Sequence, residues 1–482
     1  MADPVVVIGA GPAGLAAAYE CARLGLPAVV LEQDRMVGGL CRTVEHQGFR
    51  FDLGGHRFFT KNEEVRALWR ETLGDEFLRR PRRSRIYFGG RFVAYPLKPF
   101  DALRRLGAKE TALSIASFLA RRVRPHPDPK SFEAWTENQF GHRLYAHFFR
   151  AYTEKVWGIP CSELAGEWGA QRIKGLNLAS AIRSALFKPR HGKIRTLIEE
   201  FDYPRLGPGQ MYEALAARCR AAGVPVRLGH RAVGVDTRGG RALAVRARTD
   251  AGETRLPCAA VLSSMPLTEL ACALDEADPS ARAAAGALGY RSLLTVDLML
   301  RGAETVPDTW IYIHDPNLRV GRVQCFRNWS PDLVPGPEAS SLGFEYFATE
   351  GDDLWTTSDA ELVALAKREL GELGLADPDR VFDATVQRAG KAYPLFRLGY
   401  AEHVRTIRRA LARFENVQPI GRYGMFRYNN MDHSILTGML AARNLGDAQH
   451  DVWSVNVDAE YLESGPAPQA GQATDADRLA NA

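Results

Sequence analysis

The chain opens on a short apolar run, Val5–Ile8, then a glycine-rich turn, an alanine-rich stretch and a second apolar run, Ala28–Leu31. Four-residue apolar runs bounded by turn residues fit strands buried on both faces, and the stretch between them has the length of a helix. The pattern predicts strand–turn–helix–strand, the opening of a parallel sheet. Residues 85–94 read as a hairpin turning at Gly89-Gly90. Residues 100–122 and 131–157 carry helical periodicity and are separated by the breaker Pro125-His126-Pro127-Asp128-Pro129. A further amphipathic helix is expected over 171–187 and another over 212–222. Strands at 224–228, 232–236, 242–249 and 259–263, with a Gly239-Gly240 turn, return the chain to its opening sheet. Apolar runs at 293–300, 310–313, 320–326 and 342–347 read as antiparallel strands, and 359–373 as a helix. A basic helix over 399–414 and a last apolar strand over 417–420 follow. The polar, aromatic loop 421–433 then leads into a helix over 434–445, with Asp432, His433 and Ser434 as N-cap candidates.

Gly9, Gly11 and Gly14 stand in G-x-G-x-x-G spacing between the first strand and its helix. Such glycines permit a tight turn and bring backbone N–H groups against a pyrophosphate at a helix N-terminus. Glu32 ends the second strand about twenty residues on, where a carboxylate accepts from a ribose 2′-OH and disfavours a 2′-phosphate, so NADP is not expected at this site. Val37-Gly38-Gly39-Leu40-Cys41-Arg42-Thr43 follows directly. It resembles the second fingerprint of the two-glycine flavoproteins, the superfamily of amine oxidases, phytoene desaturases and protoporphyrinogen oxidases. In that group a cation at the place of Arg42 neutralises the FAD pyrophosphate, so the expected cofactor is FAD. A helix start after the 421–433 loop offers a second contact on the phosphate side. Val233, Gly421, Met431 and Asp432 complete the expected FAD set, with Gly55 and His56 at the isoalloxazine end.

The expected class is α/β, a Rossmann-like FAD domain of the two-dinucleotide-binding type with a helical cap insertion and a mostly antiparallel β substrate domain. The 482 residues suffice for two or three packed units. The FAD domain is assigned to 1–80, 205–290 and 415–446, the cap to 95–200 and the β domain to 291–414. The Ala/Gly/Pro/Gln-rich residues 465–482 are expected to be a disordered tail. A net charge of +5 is too mild to argue for or against nucleic acid, and no nucleic-acid partner is expected. The basic runs at 79–83 and 121–124 read as solvated charge, or else as a phosphate- or membrane-facing patch. Seven unpatterned cysteines suit a reducing compartment. No signal-like segment precedes the first strand and no apolar run reaches the roughly 18 residues needed to span a bilayer. A cytoplasmic enzyme with no integral membrane segment is the expectation.

Three further segments narrow the resemblance. Gly54-Gly55-His56-Arg57-Phe58-Phe59-Thr60, the helix end 152–157 and the loop 421–433 resemble UDP-galactopyranose mutase and its relatives, most specifically through Gly421-Arg422-x-Gly-x-x-x-Tyr428-x-x-Met431. The resemblance runs from about residue 4 to 446. It implies a pyranose/furanose isomerase in which reduced-flavin N5 is the nucleophile on a nucleotide-linked sugar, without net redox. FAD would be held non-covalently and kept reduced by an external reductant such as NAD(P)H. His56 and Arg422 would then lie by the flavin and Trp157 by the sugar, all three in catalytic positions. Tyr152, Arg172, Tyr393 and Tyr428 would hold the substrate, the last two through its diphosphate. The chain departs from the pattern at Leu176 and after Glu345-Tyr346, where the family's diphosphate-clamping arginines are expected, and at Asp432, where the mutases carry His. Arg183 and Arg327 are the candidate replacements. The alternative is a net-redox FAD enzyme of the amine oxidase, protoporphyrinogen oxidase or desaturase type, with the aromatic-rich cap suited to an apolar substrate.

Overall fold

The two opening strands have the expected bounds. Val5–Ile8 and Ala28–Leu31 are fully buried parallel strands, and the helix Pro12–Arg23 connects them. They sit at the centre of a five-stranded parallel sheet whose order is Val417–Pro419, Ala260–Ser263, Val5–Ile8, Ala28–Leu31 and Val226–Arg227. Burial on both faces explains why these strands are continuous apolar runs rather than alternating ones. The computed structural model describes residues 3–95, 99–167, 169, 200–303 and 306–456. The expected helix over 171–187, with Arg172, Leu176 and Arg183, and the expected tail over 465–482 lie outside the described residues.

The second layer is a seven-stranded sheet in the order Val381–Leu395, Gly289–Arg301, Ala339–Ala348, Arg322–Cys325, Trp310–Ile313, Ser84–Phe88, Arg91–Ala94. All its pairings are antiparallel except that of Trp310–Ile313 with Ser84–Phe88. The early hairpin thus joins a sheet made mostly from the later chain. The longest strand, Val381–Leu395, is an addition to the sequence reading. It lies at the sheet edge, where Pro394 is tolerated because its missing N–H faces no neighbour.

The cap departs from one continuous helix over 131–157. Phe132–Phe140 stops at Gly141, which has φ +82°. A Cβ there would lie 2.7 Å from the backbone nitrogen of Phe118, on the second part of the helical stretch Pro99–Val123, which is broken at Gly107 (φ +82°), so the two helices cross where only glycine fits. A short helix His142–Tyr145, a π-helical turn Ala146–Arg150 and the helix Ala151–Trp157 follow. Lys155 bolts this last helix to the β layer, its Nζ donating to the carbonyls of Ile313 (3.0 Å), Asp315 (2.7 Å) and Val320 (3.1 Å).

The first basic run is absorbed by the fold. Arg79 meets Asp202 at 3.1 Å, Arg80 donates to the Asn328 carbonyl at 3.0 Å, and Arg82 lies over the Tyr95 and Trp310 rings. The cysteines are all free, and six of the seven are buried.

Candidate active site

Four parallel strands end at the same cavity, a space of about 680 Å³. Its wall takes Gly9 and Gly11 after the first strand, Glu32 after the second, Ser264 after Ala260–Ser263 and Gly421 after Val417–Pro419. Ligands of open α/β sheets bind in this crevice, outside the carboxyl ends of the strands. Gly9 has φ +97°, and a Cβ on it would strike the Ser264 hydroxyl. Gly14 is not on the wall. It lets helix meet strand, since its Cβ would overlap the Gly9 carbonyl oxygen. Gly11 and Gly39 face each other across the cavity edge, with a Cβ on Gly11 3.9 Å from Gly39 Cα. Gly38, behind them, has φ +101° and makes the turn onto Arg42.

Glu32 is buried and accepts from the backbone nitrogens of Ala10 (2.7 Å) and Asp34 (2.9 Å), so its carboxylate also ties the two strand ends together. Burial raises its pKa against those two bonds. Arg42 lies on the wall, paired with Asp34 at 2.7 Å. The helix after the 421–433 loop begins at Met431, three residues earlier than expected. Its N-cap is Asn430, in a reciprocal capping box with His433. Asp432 therefore lies in the first turn, buried, and both it and Met431 reach the cavity wall.

The opposite wall comes from the seven-stranded sheet and the loop. Tyr393 and Tyr428 stack with centroids 5.9 Å apart, and the Arg422 guanidinium lies 4.8 Å from the Tyr428 ring and 5.5 Å from the Tyr393 ring. The Asn429 carbonyl accepts from Arg422 Nε at 2.8 Å. Beside them is Arg322, which the sequence reading did not single out. Its strand pairs in register with Ala339–Ala348, which sets Arg322 opposite Glu345. Glu345 is fully buried and accepts from Arg322 Nε at 2.8 Å, from its Nη2, and from Gln324 Nε2 at 2.5 Å. Burial opposes the charge on Arg322, and Glu345 overrides it, holding the guanidinium pKa above its usual value. Arg322 lines the cavity, and its Nη1 takes no partner among the described residues. Arg57, Tyr312 and Lys391 also lie on this wall, and all were missed as site residues. Lys391 is bulged out of its strand at φ +54° and pairs with Glu269.

The family model for flavin-containing amine oxidoreductases matches residues 12–446. The chain belongs to that family. Reduced UDP-galactopyranose mutase superposes with a TM-score of 0.80 at 23% identity, over 93% of this chain and 97% of the other. A protoporphyrinogen oxidase-type protein from Exiguobacterium sp. 255-15 superposes with a TM-score of 0.70 at 17% identity, over 92% and 99%. These identities show the shared fold. The inactive all-trans-retinol 13,14-reductase of Danio rerio is 56% identical over 50 residues, 10% of this chain but only 8% of that protein.

The wall fits the FAD that this amine oxidoreductase family carries. Gly11, Gly39 and the N-terminus of Pro12–Arg23 leave a side-chain-free cradle that would take a pyrophosphate, and Glu32, on the wall at the end of the second strand, would meet the ribose. The other expected positions are placed less directly. Val233 sits in a β-bulge, and its neighbour Ala232 reaches the wall instead. Trp157 is buried behind Tyr393 (6.4 Å between centroids) and Phe396 rather than on the wall. Tyr152 is also set back, stacked on His314 at 4.3 Å and edge-on to Tyr312, which does line the cavity. Arg327 donates to the carbonyls of Pro337 and Ala339 and does not line the cavity, whereas Arg322 does.

Gly55 and His56 lie on the wall. His56 Nε2 donates to the Leu53 carbonyl at 2.9 Å, which leaves Nδ1 unprotonated, 3.7 Å from the Cys41 thiol. Desolvation lowers the imidazole pKa to about 4, with help from the charges of Arg422 and Arg322 and against the Leu53 bond. Because the unfolded chain takes its proton near 6.5, stability tied to His56 is present above that pH and is lost as pH falls toward 4. Nuclear magnetic resonance of the imidazole should therefore show no His56 titration between pH 5 and 8. A midpoint near 6.5 would mean that the ring is solvated.

Proposed function

We propose that this flavoenzyme acts on a small, anionic, activated sugar as a pyranose/furanose isomerase of the UDP-galactopyranose mutase kind. The observation that carries the reading is the Arg322–Tyr393–Tyr428–Arg422 wall. Guanidinium groups and phenols in one place match a diphosphate, which accepts several charge-assisted bonds at once. An apolar polyene would offer the cavity-facing guanidinium and hydroxyl groups no acceptor, and an ammonium substrate would meet like charge.

When bound, FAD supplies a nucleophilic N5 in its reduced state or a hydride acceptor in its oxidised state. The chain's own residues do the rest. Burial pushes the Tyr393 phenol up to about 12, so it donates as a neutral hydroxyl at neutral pH. Arg322, oriented by Glu345, offers Nη1 to the leaving diphosphate. Arg422, fixed by the Asn429 carbonyl, keeps positive charge over both tyrosines. Together they hold the sugar at a set place against the cofactor. Non-covalent attachment belongs to the same reading: burial pushes the thiol of Cys41, the cysteine on the cavity wall, up to about 12 and so disfavours its thiolate. NAD(P)H would serve as the external reductant, and the compartment would be the cytoplasm.

The second reading, a net-redox enzyme, is favoured by one observation: Glu345 neutralises Arg322, so the wall is less cationic than its arginines alone suggest. Dithionite-reduced enzyme would be incubated anaerobically with nucleotide sugars and sodium cyanoborohydride, and the flavin released by acid and weighed. Isomerised sugar, no electron transfer and a flavin heavier by one sugar unit are the expected result. An unmodified flavin and unchanged sugars across the panel would discard the mutase reading in favour of the redox one.

A further inference from the structure

Among the described residues, three of the seven exposed large apolar side chains lie on one continuous helical segment, residues 108–123, which follows a break at Gly107 (φ +82°): Leu113 (39% exposed), Leu119 (56%) and Val123 (80%). Ala112, Ala116 and Ala120 are exposed beside them. The positions recur every three or four residues, so they form one continuous apolar stripe on the outside of the cap. The opposite face buries Ser114 and packs Phe118 against Leu144.

The charges on this helix are sorted by face. Its acid, Glu110, is turned away from the stripe and accepts from Arg143 at 2.6 Å and His147 at 2.9 Å. Arg121 is turned inward to Glu137 at 2.6 Å. Lys109 at one end of the stripe and Arg122 and Arg124 at the other stay exposed, and none forms an ion pair among the described residues. The second basic run of the sequence is thus split: one arginine is structural, and two flank the most exposed apolar side chain of the helix.

We propose that this stripe docks on an anionic membrane surface, with Leu113, Leu119 and Val123 entering the headgroup boundary and Lys109, Arg122 and Arg124 meeting lipid phosphates. An interfacial helix needs this combination of a shallow aliphatic face and a cationic rim. Among the described residues no helix is long and apolar enough to cross a membrane, so the contact is peripheral. A second copy of the chain fits less well. Packing two such stripes about a two-fold axis would bring the cationic rims together, with no acid among the described residues of either stripe to offset them. An acidic protein fits less well too, because the stripe has no aromatic anchor and no pocket of the kind that carries protein interfaces.

The test is flotation of flavin-loaded protein with vesicles of phosphatidylcholine alone and of equal parts phosphatidylcholine and phosphatidylglycerol. Binding to the anionic vesicles only, abolished by high salt, is expected. The double variant Leu119→Glu with Val123→Glu should bind at least about tenfold more weakly, since two apolar contacts become two repulsive charges. Leu119→Ser with Val123→Ser, a milder change at the same outward positions, should keep the parent's flavin content and melting temperature and still lose affinity. No binding to anionic vesicles, or equal binding by both variants, would overturn the proposal. So would a dimer in light scattering that the variants dissolve, because the occupant would then be a second copy.

Discussion

Replacing Glu345 with leucine is expected to destabilise the protein by about 3–5 kcal/mol, the usual cost of removing one partner from a buried ion pair. Glu345 is fully buried and neutralises an arginine whose own side chain is only 19% exposed. The leucine would gain roughly 1.5–3 kcal/mol of apolar burial, but Arg322 and the Gln324 amide would be left without their shared acceptor, and that penalty dominates. Denaturant unfolding followed by circular dichroism reads the loss. The double variant Arg322→Met with Glu345→Leu replaces the pair by apolar groups of similar size and should recover most of the stability. It should nevertheless fail to turn over an anionic sugar, because the guanidinium that faces the cavity is gone. Stability and function would separate in one cycle. If Glu345→Leu unfolds at the parent's denaturant midpoint, the pair contributes nothing and the electrostatic account of this wall fails.

The Arg322–Glu345 pair also shows where sequence reading ended. The first and second strands were legible to the residue, because continuous burial writes continuous apolar runs, and the helix between them was legible in kind. The Gly89-Gly90 hairpin and Trp310–Ile313 were legible for similarly local reasons. Register between distant strands is not local. The two residues are 23 apart in sequence and opposite each other in space, and each read alone as a stray charge in an apolar run. Opposite charges inside two neighbouring apolar strands were the available signal. The positions after Glu345-Tyr346, expected to carry an arginine, are Phe347 and Ala348, which are simply core. Val381–Leu395 was missed because an edge strand is half solvated and mixes polar and apolar residues. The last helix begins three residues before its expected start: Asp432 and Ser434 are N-cap types, but the residue that caps it, Asn430, precedes them. Trp157 illustrates the converse. Its polar edge suggested a pocket wall, yet an indole behind Tyr393 shapes the cavity by supporting the tyrosine.

Gly438→Ala is expected to strip most of the flavin. Inside a helix the change should by propensity alone stabilise by about 1 kcal/mol. Packing opposes it. A Cβ on Gly438 would fall 2.1 Å from the Ala13 carbonyl oxygen and 3.0 Å from the Ala17 nitrogen, both backbone atoms of the helix Pro12–Arg23. A flexible side chain could yield at that distance, but a helix backbone can only be pushed away as a unit, and such overpacking costs about 1–3 kcal/mol or more. Both helices matter to the cofactor, since their first turns supply Pro12 and Ala13 on one side of the cavity and Met431, Asp432 and Ser434 on the other. Forcing them apart displaces both N-termini from the phosphate cradle, so the loss should appear as reduced flavin content before it appears as unfolding. Gly286→Ala is the control. It ends the helix Pro279–Gly286, and a Cβ there meets nothing within 4 Å, so that variant should keep its flavin and melt no lower than the parent. Full flavin occupancy in Gly438→Ala would mean that the two helices do not cross as closely as the geometry requires, and the cradle would then owe its shape to the Gly9–Gly14 turn alone.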